Sequence, residues 1–122
     1  MTILEAINWI DEHKPNTYSQ EDKIKWLNDL DHNVYNTICQ YESEYEPYWQ
    51  RYTPQTDPNQ EMLIGDPYDS IYVHWLESRI DYYNGEYAKF NNTNAVFQAD
   101  LREWEKYWNR NHLPKGRIIR YF

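Results

Sequence analysis

The sequence is poor in the residues from which small domains usually build a catalytic loop or an aliphatic core. Three glycines in 122 residues leave neither a phosphate-cradling loop nor a dinucleotide fingerprint, and no Gly-x-Ser-x-Gly elbow occurs. The single cysteine, Cys39, excludes an internal disulfide, and its helix-like surroundings make it a small buried side chain rather than a nucleophile. No apolar run approaches the roughly 18 residues that span a bilayer, and the N-terminus lacks the basic-then-apolar layout of a signal peptide. An intracellular, soluble product is therefore expected, one whose Asn91-Asn92-Thr93 sequon would not meet the glycosylation machinery. Leu, Ile, Val and Phe number only 23, and with a net charge of −8 that composition alone would point towards disorder.

What is present reverses that expectation. Six Trp, thirteen Tyr and three Phe supply rings that each bury roughly 150–250 Å², enough apolar area to replace much of the missing aliphatic core. One folded domain over residues 1–122 is the natural reading of this length. Charge is divided along the chain. All twenty acids precede residue 106, against seven bases there, a balance of −13; residues 106–122 hold Lys106, Arg110, Lys115, Arg117 and Arg120 and no acid, a balance of +5. Such a basic tail suits an acidic protein surface, including that of another copy of the chain, better than DNA, whose phosphates the acidic body would repel.

The pattern predicts an all-α domain of about four helices. Thr2-Ile3-Leu4-Glu5 is a capping box, Ile3, Ile7 and Ile10 mark one face, and Pro15 closes the first helix. Ser19 with Glu21 and Asp22 opens a second, from about 20 to 40, carrying Leu27, Leu30, Val34 and Ile38. Periodicity then fails from Tyr41 to Gly65, where Pro47, Pro54 and Pro58 mark a long loop with room for a short hairpin between Tyr48–Tyr52 and Met62–Ile64. Asp66 as N-cap and Pro67 in the first turn predict the start of a third helix. Tyr72, Leu76, Ile80 and Tyr83 lie along it, and Ile71, Val73 and Trp75 sit elsewhere around it, as in a central helix or one that also meets another subunit. Gly85 implies a close contact or a break. Asn91-Asn92-Thr93 reads as the next boundary, followed by a fourth helix with the stripe Phe97, Leu101, Trp104, Trp108, and then an extended basic tail beyond Pro114.

Little here looks catalytic. His13, His32, His74 and His112 fall on different elements without metal-ligand spacing, although His74 and Glu77 share a helix face. Asp29, Asp31, Glu103 and Glu105 read as solvated helix surface. No enzyme activity, cofactor or metal is expected. Rings at helical spacing, such as Tyr72, Tyr83, Trp104 and Trp108, read as core, whereas rings on loops and tails read as contact surface, because Tyr, Trp and Arg are enriched where proteins bind one another. The candidate interface residues are accordingly Tyr45, Tyr48, Trp49, Tyr52, Trp75, Arg117, Arg120, Tyr121 and Phe122.

The stretch Met62-Leu63-Ile64-Gly65-Asp66-Pro67-Tyr68-Asp69-Ser70-Ile71-Tyr72-Val73-His74-Trp75-Leu76-Glu77, continuing through Ile80-Asp81-Tyr82-Tyr83-Asn84-Gly85-Glu86 to Phe90-Asn91-Asn92, resembles the connector, or adaptor, proteins of long-tailed bacteriophages and prophages. Trp26-Leu27, Leu30-Asp31 and Trp108-Asn109-Arg110-Asn111-His112-Leu113-Pro114 fit the same pattern. The resemblance implies a small helical bundle that forms a homo-oligomeric ring beneath the portal protein, completes the DNA-filled head and offers a surface to the tail-side stopper or tail-completion protein. It also implies a place in the virion at the head–tail interface, after assembly in the bacterial cytoplasm, with DNA passing through the ring unbound and no membrane partner. The competing expectations are a small acidic interaction or regulatory module acting as monomer or dimer and, further behind, a nucleic-acid-binding protein using the basic tail.

Overall fold

A computed structural model describes residues 1–39 and 49–111. It is all-α, with four helices in chain order: α1 (Ile3–His13), α2 (Gln20–Ile38), α3 (Ile71–Tyr83) and α4 (Tyr87–Asn111). The signals at the first two helix starts work as expected. Thr2 and Glu5 exchange both bonds of a capping box, and the Ser19 hydroxyl accepts from the Asp22 amide. Ile3, Ala6, Ile7 and Ile10 of α1 and Leu27, Leu30, Val34 and Ile38 of α2 pack into one core with Ile71, Tyr72, Leu76 and Ile80 of α3, and Phe97 and Trp104 of α4 complete it. α3 is the central element, touching all three other helices, while α4 packs chiefly on α3.

Three expected boundaries move. Asp66-Pro67 does not start α3: turns closed by Tyr68 N–H to Gly65 O and Ile71 N–H to Tyr68 O occupy this stretch, and the helix begins only at Ile71, after Ser70. Those turns set Ile64 in the core, where it is fully buried. Gly85 provides the break. It sits at φ +76°, the left-handed position just past a helix end that costs glycine little, and the Gly85 and Glu86 amides donate to Tyr82 O and Asp81 O, sealing the end of α3 in a Schellman arrangement. α4 therefore starts at Tyr87, and Asn91-Asn92-Thr93 lies inside it. Thr93 is accommodated there because its hydroxyl bonds back to the Lys89 and Phe90 carbonyls and to the Asp81 carboxylate.

The hairpin does not form among the described residues; its Tyr48 end lies outside them. The 58–62 stretch instead runs antiparallel to the chain's first residues, with Ile3 N–H to Gln60 O, Leu4 N–H to Pro58 O and Met62 N–H to Met1 O. Its other anchor is Asp31, which is fully buried rather than part of a solvated face. The Tyr52 hydroxyl donates to Oδ2 at 2.5 Å, the Leu63 amide to the same oxygen at 3.2 Å, and the Tyr72 hydroxyl to Oδ1 at 2.7 Å. Tyr72 Oη in turn accepts from the Ile64 amide at 2.7 Å, and Asn28 Oδ1 accepts from the Tyr52 amide at 2.9 Å. Burial disfavours the charged carboxylate and the three donors favour it. Burial prevails, and the Asp31 carboxyl is pushed up to about 6 from an ordinary 3.8.

A second buried carboxylate joins the other end of the bundle. Asp81, also fully buried, pairs through Oδ1 with Lys14 Nζ at 2.7 Å and accepts from Thr93 through Oδ2 at 3.1 Å, so the end of α1, the last turn of α3 and the first turns of α4 meet on one group. Lys23, itself buried, ties α2 to α1 through Asp11 Oδ1 at 2.6 Å and the Tyr18 carbonyl at 3.0 Å.

Two outcomes follow from Asp31. Tyr72→Phe removes a donor to the carboxylate and leaves the buried Ile64 amide without an acceptor, so denaturant unfolding should show a loss of about 2–4 kcal/mol. Because the folded protein holds the Asp31 proton more tightly than the unfolded chain, its contribution to stability is full below about 3.8 and is lost as pH rises through about 6. Stability measured at pH 5 should thus exceed that at pH 7 by about 1.3 kcal/mol from this group, a difference absent from Asp31→Asn.

Candidate interaction surfaces

The described residues carry few arrangements suited to chemistry and several suited to contact. The imidazole Nδ1 of His74 meets the Asp100 carboxylate across the α3–α4 seam, and Glu77 lines the same small pocket. No group of three His, Cys, Asp or Glu capable of holding a metal ion occurs among the described residues, and no helix of them is long and apolar enough to cross a membrane.

The predicted interface residues divide. Tyr45, Tyr48, Arg117, Arg120, Tyr121 and Phe122 lie outside the described residues. Tyr52 is corrected: it is only 5 % exposed, because its hydroxyl is one of the donors that compensates Asp31, and it belongs to the core. Trp49 lies half-buried over α2, its ring 5.5 Å from that of Tyr35 and 5.7 Å from that of Tyr52. Trp75 is half-buried as well. Its indole N–H donates to the Trp26 carbonyl at 2.7 Å, bolting α3 to α2, and its ring lies 4.9 Å from that of Phe97.

The rings left in the open are mainly elsewhere. Tyr82, Tyr83 and Tyr87, at the corner where α3 turns into α4, are 43 %, 55 % and 63 % exposed, which corrects the reading of Tyr83 as core. They are not loose. Tyr83 stacks on Trp26 at 5.4 Å, Tyr18 meets Trp26 edge-on at 5.3 Å and donates its hydroxyl to Asn84 Oδ1 at 2.7 Å, and Tyr82 meets Phe90 at 5.4 Å and Tyr87 at 6.2 Å. The guanidinium of Arg79 lies 4.3 Å from the Trp75 ring centre, 5.4 Å from that of Tyr82 and 5.6 Å from that of Phe90. Burial among these rings lowers its affinity for its proton, opposed by Tyr83 and Tyr82, and no carboxylate among the described residues pairs with it. The result is an aromatic ridge with a cation set into it, a composition typical of contact hot spots. Its signal in the sequence was the placing of Trp75, Arg79, Tyr82 and Tyr83 at spacings of three and four on one helix.

A second feature is a narrow groove of about 220 Å³ between α2 and α4, lined by Leu30, Val34, Phe97 and Leu101 with Trp75 of α3 between them and Glu105 on its rim. It is smaller than the roughly 300–1,000 Å³ typical of small-molecule sites. Its dimensions suit a few inserted side chains.

If the ridge is a contact surface and not part of the fold's support, Tyr82→Ser with Tyr87→Ser should lower stability by no more than about 1 kcal/mol while weakening self-association or partner binding at least about tenfold. Thermal unfolding and sedimentation measured on one preparation separate the two effects. Compared with protein-family models, with curated proteins and with solved structures, the chain finds no match.

Proposed function

We propose that the chain is a structural head–tail connector of a long-tailed bacteriophage or prophage, forming a ring between the portal and the tail and completing the DNA-filled head. The observation that carries this reading is the exposed ridge of Tyr82, Tyr83 and Tyr87 around Arg79, set on an acidic helical body. Large exposed aromatic clusters on a folded domain mark contact surfaces, and a ring needs a heterologous contact, one face of each subunit against a different face of the next. The stretch that resembles phage connectors supports the reading from the sequence side, since it spans the approach to α3, α3 itself and the first turns of α4. The charge division supports it too: the acidic body would line a channel that repels DNA phosphates, while the basic stretch 106–122 has the charge to meet an acidic partner. The partners on this reading are other copies of the chain, the portal protein and the tail-side stopper or tail-completion protein, and the working location is the head–tail junction of the virion.

The test is to mix the purified chain with a phage portal protein from the same genome, then measure mass by light scattering across concentration and image the mixture by electron microscopy. A ring of this protein seated on the portal is the expected result. A chain that stays monomeric or dimeric at every concentration, with portal and without, would instead support the interaction-module reading, and binding to DNA at physiological salt would favour the nucleic-acid one.

A further inference from the structure

We propose that Asn84-Gly85 is a self-modification site, where the Asn84 side-chain amide converts to an acid at a pace set by opening of the α3–α4 corner, and that the conversion alters the aromatic ridge. Among the chain's asparagines only Asn84 precedes a glycine. Both residues are exposed, and the space beside Gly85 is open, with nothing within 4 Å of where a Cβ would stand. Once the backbone turns, no side chain obstructs the approach of the Gly85 nitrogen to Cγ of Asn84. In the reaction that nitrogen gives its proton to hydroxide and forms a bond to Cγ; the Cγ–Nδ2 bond breaks, and ammonia leaves with a proton from water, which regenerates hydroxide. Water then opens the cyclic imide. Attack at Cγ breaks its bond to the Gly85 nitrogen and gives aspartate; attack at the main-chain carbonyl carbon breaks the other bond and gives isoaspartate, whose backbone runs through Cβ. Nothing besides water is consumed.

The closed corner holds this reaction back. Ring closure needs the Gly85 nitrogen eclipsed with Cβ of Asn84, but at ψ −9° it is eclipsed with Asn84's own nitrogen instead. The Gly85 amide is committed to Tyr82 O and the Glu86 amide to Asp81 O, each at 3.0 Å, and the Tyr18 hydroxyl pins Asn84 Oδ1 at 2.7 Å. Bonds at an exposed helix end open locally while the core stays folded, and each such opening frees the nitrogen and the side chain together. The effect on assembly rests on the reading of the ridge as a contact surface. Aspartate keeps an acceptor for Tyr18 and adds a negative charge next to Tyr83. Isoaspartate lengthens the main chain by one methylene, so the Gly85 and Glu86 amides cannot both keep their acceptors, and the corner carrying Tyr82, Tyr83 and Tyr87 loses its fixed shape.

Peptide mapping by mass spectrometry, after incubation of the purified chain in mildly alkaline buffer, tests the assignment. Asn84 should convert in the folded chain, more slowly than in urea, and about fivefold faster in Tyr18→Phe, which loses one hydrogen bond of the closed corner and keeps the ring. An Asn84 that stays intact while the same residue converts in urea overturns the proposal. So does conversion at one rate in the folded chain, in urea and in Tyr18→Phe. Ion exchange then separates the products. Amide hydrogen exchange at Gly85 and Glu86 should quicken in the isoaspartate form but not in Asn84→Asp, and self-association of the isoaspartate form should weaken about tenfold. Unchanged exchange overturns the effect on the ridge. Faster exchange with association as before removes only the reading of the ridge as a contact surface, and the modification site stands.

Discussion

A carboxylate taken out of water has to be compensated, and the path of the chain between α2 and α3 follows from how Asp31 is compensated. Its three donors come from Tyr52, Leu63 and Tyr72, that is, from both ends of the described part of the connecting segment and from α3. Holding them on two oxygens 21 to 41 residues away in sequence fixes the segment against α2 and sets the register of α3 against it in the same step. Tyr72 does this twice, donating to Asp31 and accepting from Ile64, so the residue that enters the core beside it is placed by the same hydroxyl. Burial nevertheless outweighs the donors and brings the carboxyl to about 6, close to neutrality. Buried ionic networks of this kind tend to define a conformation more than they stabilise it, and here the conformation defined is that of a segment with little regular structure of its own.

That dependence also explains which parts of the fold were legible in the sequence. The starts of α1 and α2 were local facts, a hydroxyl and a carboxylate three residues apart in one case and a serine before two acids in the other, and the structure has them where local chemistry puts them. The stripe Phe97, Leu101, Trp104, Trp108 was legible for the same reason, since helical period alone decides it. Asp31 was not. An aspartate on a helix reads as surface until two tyrosines from distant positions are known to converge on it, and nothing within a helical turn of Asp31 announces them. Tyr52 was misread as a contact residue through the same gap: a ring on a loop is expected at the surface, unless its hydroxyl is required inside. Asp66-Pro67 and Asn91-Asn92-Thr93 carried the signals of helix boundaries, but α3 begins only after Ser70 and the break before α4 falls at Gly85.

Aromatic residues replace the aliphatic core less uniformly than their spacing suggested. Tyr52 and Tyr72 are buried because each phenol has a polar partner inside, which is the usual condition for burying one. Tyr82, Tyr83 and Tyr87 have no comparable buried polar partners among the described residues at the α3–α4 corner, and they stay exposed while their faces stack on Trp26, Phe90 and one another. Arg79 is held by ring faces where a carboxylate might be expected. In a chain with twenty acids and twelve bases, this guanidinium is left to aromatic faces with no carboxylate among the described residues paired to it, and burial among the rings lowers its affinity for its proton.

The length of α4 gives these surfaces their arrangement. At 25 residues it is about 37 Å long, yet only Phe97 and Trp104 are buried along it, because it packs on one side only, chiefly against α3. Tyr87 near its start belongs to the aromatic ridge and Glu105 near its end to the groove rim, about 27 Å apart along one axis. A self-complementary two-fold contact would use one patch twice and would need no such separation. On the proposed ring reading, a contact that propagates needs two patches that differ in chemistry and are held at a fixed distance, and a long helix packed along one side, from Phe90 on Tyr82 to Tyr107 on Tyr68, is a direct means of holding them. On that reading the one-sided packing of α4 against α3 leaves both of its ends able to present a surface, and α1, α2 and α3 are the support from which they would be presented.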